Sequence, residues 1–234
     1  MLEYLIFDLD NTLYPKSLGI FDLVIERIRN YMEVRMGFEK TRALELRQEY
    51  LKKYGSTLRG LMIHQQINPE DYLDYVHDVG VEEKLSPNPA LANLLGHIPV
   101  KKAIFTSGHR PHALKVLRCL GVEQYFPRIF DIAFTHYIPK PNPEPYRQIL
   151  DSLKIAGHEC MMIEDLPANL HPAKELGMTT VLVGQNPYGI VGRIDGVVDY
   201  EIGDILQLGE LLKAMGVAYD LAQSHNHSRV FPRK

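Results

Sequence analysis

Asp8 and Asp10 leave the end of a short apolar run, Tyr4 to Phe7, with a single residue between them, and Asn11 and Thr12 follow at once. Two carboxylates this close repel when both ionise away from water, so a shared proton or a cation must offset the charge. A hard divalent ion is the simplest answer, because Mg²⁺ takes oxygen ligands and is commonly held by one or two carboxylates plus a substrate phosphate. Glu164 and Asp165 repeat the pattern, delivered by Met161-Met162-Ile163, and would complete such an oxygen set. Between the two acid pairs, Ala103-Ile104-Phe105 ends in Thr106, then Ser107 and Gly108. A hydroxyl and free backbone N–H groups before a helix suit a phosphate. Lys140 stands between Pro139 and Pro141, a rigid mount for a positive charge that holds a phosphate or a carboxylate nucleophile. Taken singly, each has a plainer reading: an acidic surface turn, a helix cap, a solvated lysine. An acid pair, a hydroxyl, a lysine and a second acid pair, all at the ends of strands or on adjoining loops, make coincidence a poor account.

The elements that must position them follow from hydrophobic pattern. Strands are expected at Tyr4 to Phe7, Lys102 to Thr106, Ile129 to Phe134, Met161 to Glu164 and Thr180 to Val183, with a short one near Val197 to Val198. Helices are expected near 111–120, 143–154 and 167–176 and from about Asp204 to Met215. This alternation implies a parallel sheet with right-handed crossovers, a fold whose ligands bind outside the carboxyl ends of the strands.

Residues from about 15 to 86 read as all-helical. Phe21, Val24, Ile25, Ile28 and Met32 recur at helical spacing, Ala43 to Leu51 suggest a second helix ending near Gly55, a third runs from Leu58 to about Gln66, and Asn68-Pro69 opens a fourth. Ser86-Pro87-Asn88-Pro89 marks the return. The expected organisation is an α/β core from 1–14 and 87–220, a helical insertion at 15–86, and a flexible polar tail at 221–234. The tail's His225 and His227 read as solvated rather than metal-binding.

The 234 residues are 45% hydrophobic, enough for a proper core, and the net charge of −3 offers no broad footprint for nucleic acid or an anionic membrane. No apolar run approaches the roughly 18 to 20 residues of a membrane span, and no secretory signal pattern opens the chain, so a cytoplasmic monomer or homodimer is expected. Cys119 and Cys160 lie in apolar stretches and read as buried thiols.

The four-part set resembles the haloacid dehalogenase superfamily, whose motifs are matched by Asp8-Leu9-Asp10-Asn11-Thr12, Thr106, Lys140 and Glu164-Asp165. The resemblance implies a Rossmann-like three-layer α/β core with a parallel sheet, and it identifies the helical insertion after the first strand as a type 1 cap that closes over the site. It implies that Asp8 is a nucleophile forming an aspartyl-phosphate, that Asp10 is the general acid and base, and that Thr106, Ser107, Gly108 and Lys140 hold the phosphoryl group. Mg²⁺ would be held by Asp8, the Asp10 backbone carbonyl and Asp165, with Glu164 acting through a water. The superfamily's dehalogenases lack an acid at the position of Asp10, so phosphate ester hydrolysis is implied. Leu13-Tyr14-Pro15, Lys53 to Met62 and Ile163-Glu164-Asp165-Leu166 look like the pyrimidine 5′-nucleotidase group, which acts on UMP and CMP. Ser107 departs from the Asn expected in that group. In this reading the substrate is a nucleoside 5′-monophosphate, with Arg59 meeting its phosphate or a base oxygen and Tyr54, Leu58 and Met62 covering a flat ring. The competing readings are a phosphatase of a sugar phosphate or phosphoglycolate, and a non-catalytic phosphate-binding protein.

Overall fold

A computed structural model describes residues 1–184, 191–192 and 196–217. The expected tail at 221–234 lies outside the described residues. Among the described residues seven strands form one sheet: β1 (Tyr4–Phe7), β2 (Lys101–Phe105), β3 (Arg128–Phe130), β4 (Cys160–Glu164), β5 (Thr179–Val183), β6 (Val191–Gly192) and β7 (Tyr200–Ile202). Their order is β3-β2-β1-β4-β5-β7-β6. All neighbours run parallel except β6 and β7. Strand β1 lies inside the sheet and is flanked by the two other motif-bearing strands, with Phe7 level with Ile104 on one side and Ile163 on the other. The register therefore brings the residues after β1, β2 and β4 to one edge. The Asp8 N–H continues the ladder to the Ile163 carbonyl at 2.9 Å.

Between β1 and β2 the chain forms α1 (Ile20–Asn30), which runs into a π-helical turn at Tyr31–Arg35, then α2 (Lys40–Tyr54), α3 (Thr57–Gln65), α4 (Pro69–Val76) and α5 (Val81–Lys84). Met32, Ala43, Leu46, Tyr50, Leu58, Leu61, Tyr72, Leu73 and Val76 form a hydrophobic cluster of their own, completed by Ile132 from beyond β3. Helices α2 and α3 approach so closely that a Cβ on Gly60 would lie 2.1 Å from Tyr50 Cγ, so only glycine fits there. Not all of the expected apolar faces are buried: Phe21, Leu44 and Leu51 are exposed, because these helices pack on one side only and their sequence is apolar on more than that side. Ile20, Val81 and Leu85, at the two ends of the insertion, pack into the cluster against the sheet instead.

The sheet is covered on both faces. Leu5 and Phe7 face a cluster with α6 (Pro89–His97), α7 (Arg110–Leu120) and, after β7, α10 (Leu208–Ala214); Ile6 faces one with α8 (Pro143–Leu153) and α9 (Pro167–Glu175). This alternation on a strand buried from both sides is the three-layer arrangement the apolar runs imply. Three Asn-Pro pairs open helices: Asn68, Asn88 and Asn142 each accept a backbone N–H from two or three residues on, with proline at the first helical position.

Three expectations shift. The third strand stops at Phe130, since the Asp131 carboxylate accepts the N–H groups of Arg110 and Phe134 and turns the chain. The last expected strand lies at Tyr200–Ile202 rather than Val197–Val198, because Asp199 and the Val197 carbonyl are tied to the Thr180 side chain before the ladder begins. Helix α6 follows the expected return at 86–89, in a stretch for which the sequence pattern suggests no element. Cys160 is buried, while Cys119 is half-buried. No helix among the described residues is long and apolar enough to cross a membrane.

Candidate active site

Asp8 is 6% exposed and sits at the meeting point of three motifs. Lys140, itself buried, donates from Nζ to Asp8 Oδ1 at 2.6 Å, to Glu164 Oε2 at 2.7 Å and to the Phe105 carbonyl at 3.1 Å. An ammonium has three protons, so this lysine is fully engaged between two carboxylates and the end of β2. Thr12 donates to Asp8 Oδ2 at 3.0 Å, which fixes the other carboxylate oxygen. The turn that brings Thr12 back passes through Asn11 at φ +64°, a left-handed position that asparagine tolerates better than most residues.

Acid outnumbers base here. Burial, and then the Glu164 charge, push Asp8 up to about 7 despite Lys140. Burial also raises Glu164 and Asp165, with the Asp8 charge adding to the effect on Asp165. Lys140 is held above its ordinary value: burial works against its charge, but Asp8 and Glu164 outweigh it. One oxygen from each of Asp8, Glu164 and Asp165 lies within 4.8 Å of the others. Three crowded carboxylates whose charge burial disfavours are a donor set suited to a hard divalent cation such as Mg²⁺.

Asp10 has a different setting. Its Oδ1 accepts from Tyr14 Oη at 2.5 Å and from His112 Nε2 at 2.9 Å. Burial alone would raise this carboxyl; His112, Tyr14 and the nearby His77 reverse that and hold it at about 2. His77, at the end of α4, packs its ring 4.6 Å from those of both His109 and His112 on the other side of the site, and His109 Nε2 lies 3.2 Å from Asp74 Oδ1. Sequence reasoning missed this cluster. The available signals were Tyr14 four residues after Asp10, and His109 and His112 three apart at the start of one helix.

Thr106 is buried just beyond the end of β2, and its hydroxyl oxygen accepts the Gly108 N–H at 2.9 Å. That N–H therefore shapes the loop and is not an open donor, in contrast to the expectation for Gly108; the Thr106 hydroxyl proton is the donor the motif retains. Ser107 is exposed. A Cβ on Gly108 would lie 3.2 Å from His77 Nε2 and 3.3 Å from Thr106 Oγ1, so the loop and the helical insertion touch over a glycine. Tyr54 and Arg59 do not reach the carboxylates. They line a separate cavity of about 460 Å³ with Pro139 and Pro141, the residues that flank Lys140. The Tyr54 hydroxyl pairs with His64 Nε2 at 2.6 Å, and Arg59 reaches the His136 carbonyl at 3.4 Å. Leu58 is 5% exposed and packs in the helical cluster rather than facing a ligand.

A family profile described as haloacid dehalogenase-like hydrolase matches residues 2–177. The chain belongs to this family. Among haloacid dehalogenase-like and related sequences, the chain is 28% identical over 194 residues to phosphate metabolism protein 8 of Saccharomyces cerevisiae, covering 75% of this chain and 60% of the yeast protein's length. It is 24% identical over 212 residues to a putative pyrophosphatase PpaX of Caldanaerobacter subterraneus, covering 89% and 93%. Of solved structures, a HAD phosphatase from Thermococcus onnurineus matches with a TM-score of 0.62 at 23% identity, over 94% of this chain and 100% of that one. The likeness to that structure is one of fold, over nearly the whole chain.

Proposed function

We propose that this hydrolase is a Mg²⁺-dependent phosphomonoesterase working through an aspartyl-phosphate, with pyrimidine nucleoside 5′-monophosphates as substrates. The observation that carries the reading is that two carboxylates, two positions apart, have opposite surroundings: Asp8 among acids and one lysine, Asp10 under two donors. Lys140 and Thr12 hold both oxygens of Asp8 in place for attack, whereas Asp10 is held through one oxygen only, which leaves the other for proton transfer. In the first half-reaction an Asp8 oxygen attacks phosphorus, the ester P–O bond breaks, and the leaving oxygen takes the electron pair and a proton from Asp10. In the second, water attacks the phosphoryl group, Asp10 takes its proton, and the bond to Asp8 breaks to release phosphate. Lys140 and Thr12 hold the Asp8 carboxylate in one orientation throughout, and Thr106 donates to a phosphoryl oxygen. Asp8, Asp165 and the Asp10 carbonyl would hold Mg²⁺, with Glu164 through a water. When bound, the ion neutralises phosphate charge so that an anionic nucleophile can approach.

Residues 15–86 act as a lid. The nucleotide reading is supported by Tyr54 and Arg59 lining one cavity beside the Lys140 loop, an aromatic edge and a guanidinium suited to a base. The second reading, a phosphatase or pyrophosphatase of another small phosphate, keeps the same core residues; the name of the Caldanaerobacter relative favours it. Phosphate release from nucleoside monophosphates, sugar phosphates and pyrophosphate, with Mg²⁺ or EDTA, decides between them. Magnesium-dependent turnover of UMP or CMP well above the rest, abolished by Asp8→Asn, is the expected result. Preference for another ester discards the nucleotide assignment, and activity that survives Asp8→Asn discards the mechanism.

A further inference from the structure

The Asp10 carboxylate is gripped by one oxygen. Tyr14 Oη and His112 Nε2 both bond to Oδ1, and among the described residues no donor reaches Oδ2. A carboxylate can only accept, so the His112 Nε2 is an N–H here, and the structure leaves His112 Nδ1 buried without a partner. The His112 side chain is 0% exposed, and its ring is backed by His77, whose Nδ1 is fixed on the Leu73 carbonyl at 2.9 Å. Tyr14 is 3% exposed. Both donors are buried, so rotation of the Asp10 carboxylate would break two buried hydrogen bonds at once.

We infer that Tyr14 and His112 are positioning residues for Asp10: they bind Oδ1 so that Oδ2 is the oxygen that meets the leaving group and then the attacking water. Two donors on Oδ1 give that oxygen the carbonyl character when the group is protonated, so the exchangeable proton sits on Oδ2 in both half-reactions. The bonds at Oδ1 persist while the bond at Oδ2 forms and breaks. His77 joins the helical insertion to this arrangement, because the ring it presses on His112 comes from α4. Residues Tyr14 and His112 never touch substrate in this scheme; they act through Asp10.

This inference rests on the phosphomonoesterase reading, and the test separates the two. Esters differ in how much they need Asp10. An alkyl ester such as UMP leaves as an alkoxide that must be protonated, whereas p-nitrophenyl phosphate leaves as a stabilised phenolate that needs no proton. Tyr14→Phe and His112→Leu are expected to lower kcat/KM on the alkyl ester turned over best by about 10²-fold and kcat/KM on p-nitrophenyl phosphate only severalfold, since this ratio reports on steps up to aspartyl-phosphate formation and not on the water attack that both esters share. His112→Asn, which can offer an amide N–H to Oδ1, is expected to recover part of the loss that His112→Leu shows. The aryl ester also serves as the control for folding, since a misfolded variant loses both activities together. Equal losses on the two esters in a variant that keeps the wild-type melting temperature, or equal activity of His112→Asn and His112→Leu, overturn the inference while leaving the phosphatase standing. Wild-type protein inactive on every ester overturns both.

Discussion

Asp8 and Asp10 are separated by one leucine and share one turn, yet the chain treats them oppositely. Asp8 faces Glu164 and Asp165 and is pushed up to about 7; Asp10 faces a tyrosine and a bank of histidines and is held at about 2. The two surroundings come from different parts of the fold. Those of Asp8 are built from β4 and the loop after β3, inside the α/β core; those of Asp10 are built from α7 and from α4, across the boundary with the helical insertion. What this teaches is that a sheet edge can give two positions only one residue apart unlike electrostatics by drawing on opposite neighbours.

The comparison breaks most visibly at Lys140. Lys140→Met removes the one cation between Asp8 and Glu164, and stripping one partner from a buried ion pair costs about 3–5 kcal/mol. Thermal unfolding should show a clear drop in melting temperature in EDTA, partly restored by Mg²⁺, because a cation at the carboxylates takes over the neutralising role. A melting temperature unmoved by either would mean that the acids on the Asp8 side carry no charge stress.

A sharper version uses pH. In the metal-free protein Asp8 keeps its proton until about 7, whereas in the unfolded chain it loses it near its ordinary 3.8. Its contribution to stability is thus full below about 4 and is lost as pH rises towards 7. His77 has the opposite sign. Burial, and then its two histidine neighbours, lower it from 6.5 to about 3, so the unfolded chain takes up a proton that the fold refuses, and stability falls as pH drops from 6.5 towards 3. Between pH 4.5 and 6.5 the two slopes oppose each other at about 1.4 kcal/mol per unit each. Relative to wild type in EDTA, Asp8→Asn should therefore lose stability more steeply on acidification and His77→Phe less steeply, read as urea midpoints at the two pH values. Identical slopes for all three proteins would erase the contrast.

Tyr54→Phe marks the outer limit of both environments. The hydroxyl pairs with His64 at the surface of the helical layer, so stability should change by less than about 0.5 kcal/mol, and any effect should appear in KM for the preferred ester. A fall in kcat at unchanged KM would draw the cavity beside Pro139 into the catalytic machinery.

The parts legible in the sequence were those where a buried strand ends in polar residues. Tyr4 to Phe7 and Met161 to Ile163 are apolar because both faces of the sheet are covered, and Asp8, Thr106 and Glu164 stand out because they interrupt that pattern at the edge where no further packing demands a hydrophobe. Lys140 was legible from its two prolines. Tyr14 and His112 were not, because 98 positions divide them and only the folded turn after β1 brings both to one oxygen. His77 was harder still: at a helix end it reads as a C-terminal cation, whereas it is buried against two other rings. Helix α6 is hard to see in the sequence because its opening Ser86-Pro87-Asn88-Pro89 carries the composition of a loop.

Ile132 completes the hydrophobic cluster of the insertion although it belongs to the segment leaving β3. The same segment is stitched to the insertion twice more, by Tyr137 to Glu70 at 2.5 Å and by the His136 carbonyl to Arg59, and it leads within a few residues to Pro139 and Lys140. Mechanically, this makes the insertion and the lysine's mount a single linkage. In the lid motion proposed above, a swing of the helices wide enough to free a product has to extract Ile132 from its socket or pull on the loop behind Lys140, so the amplitude of opening is geared to the seat of the charge that steadies Asp8.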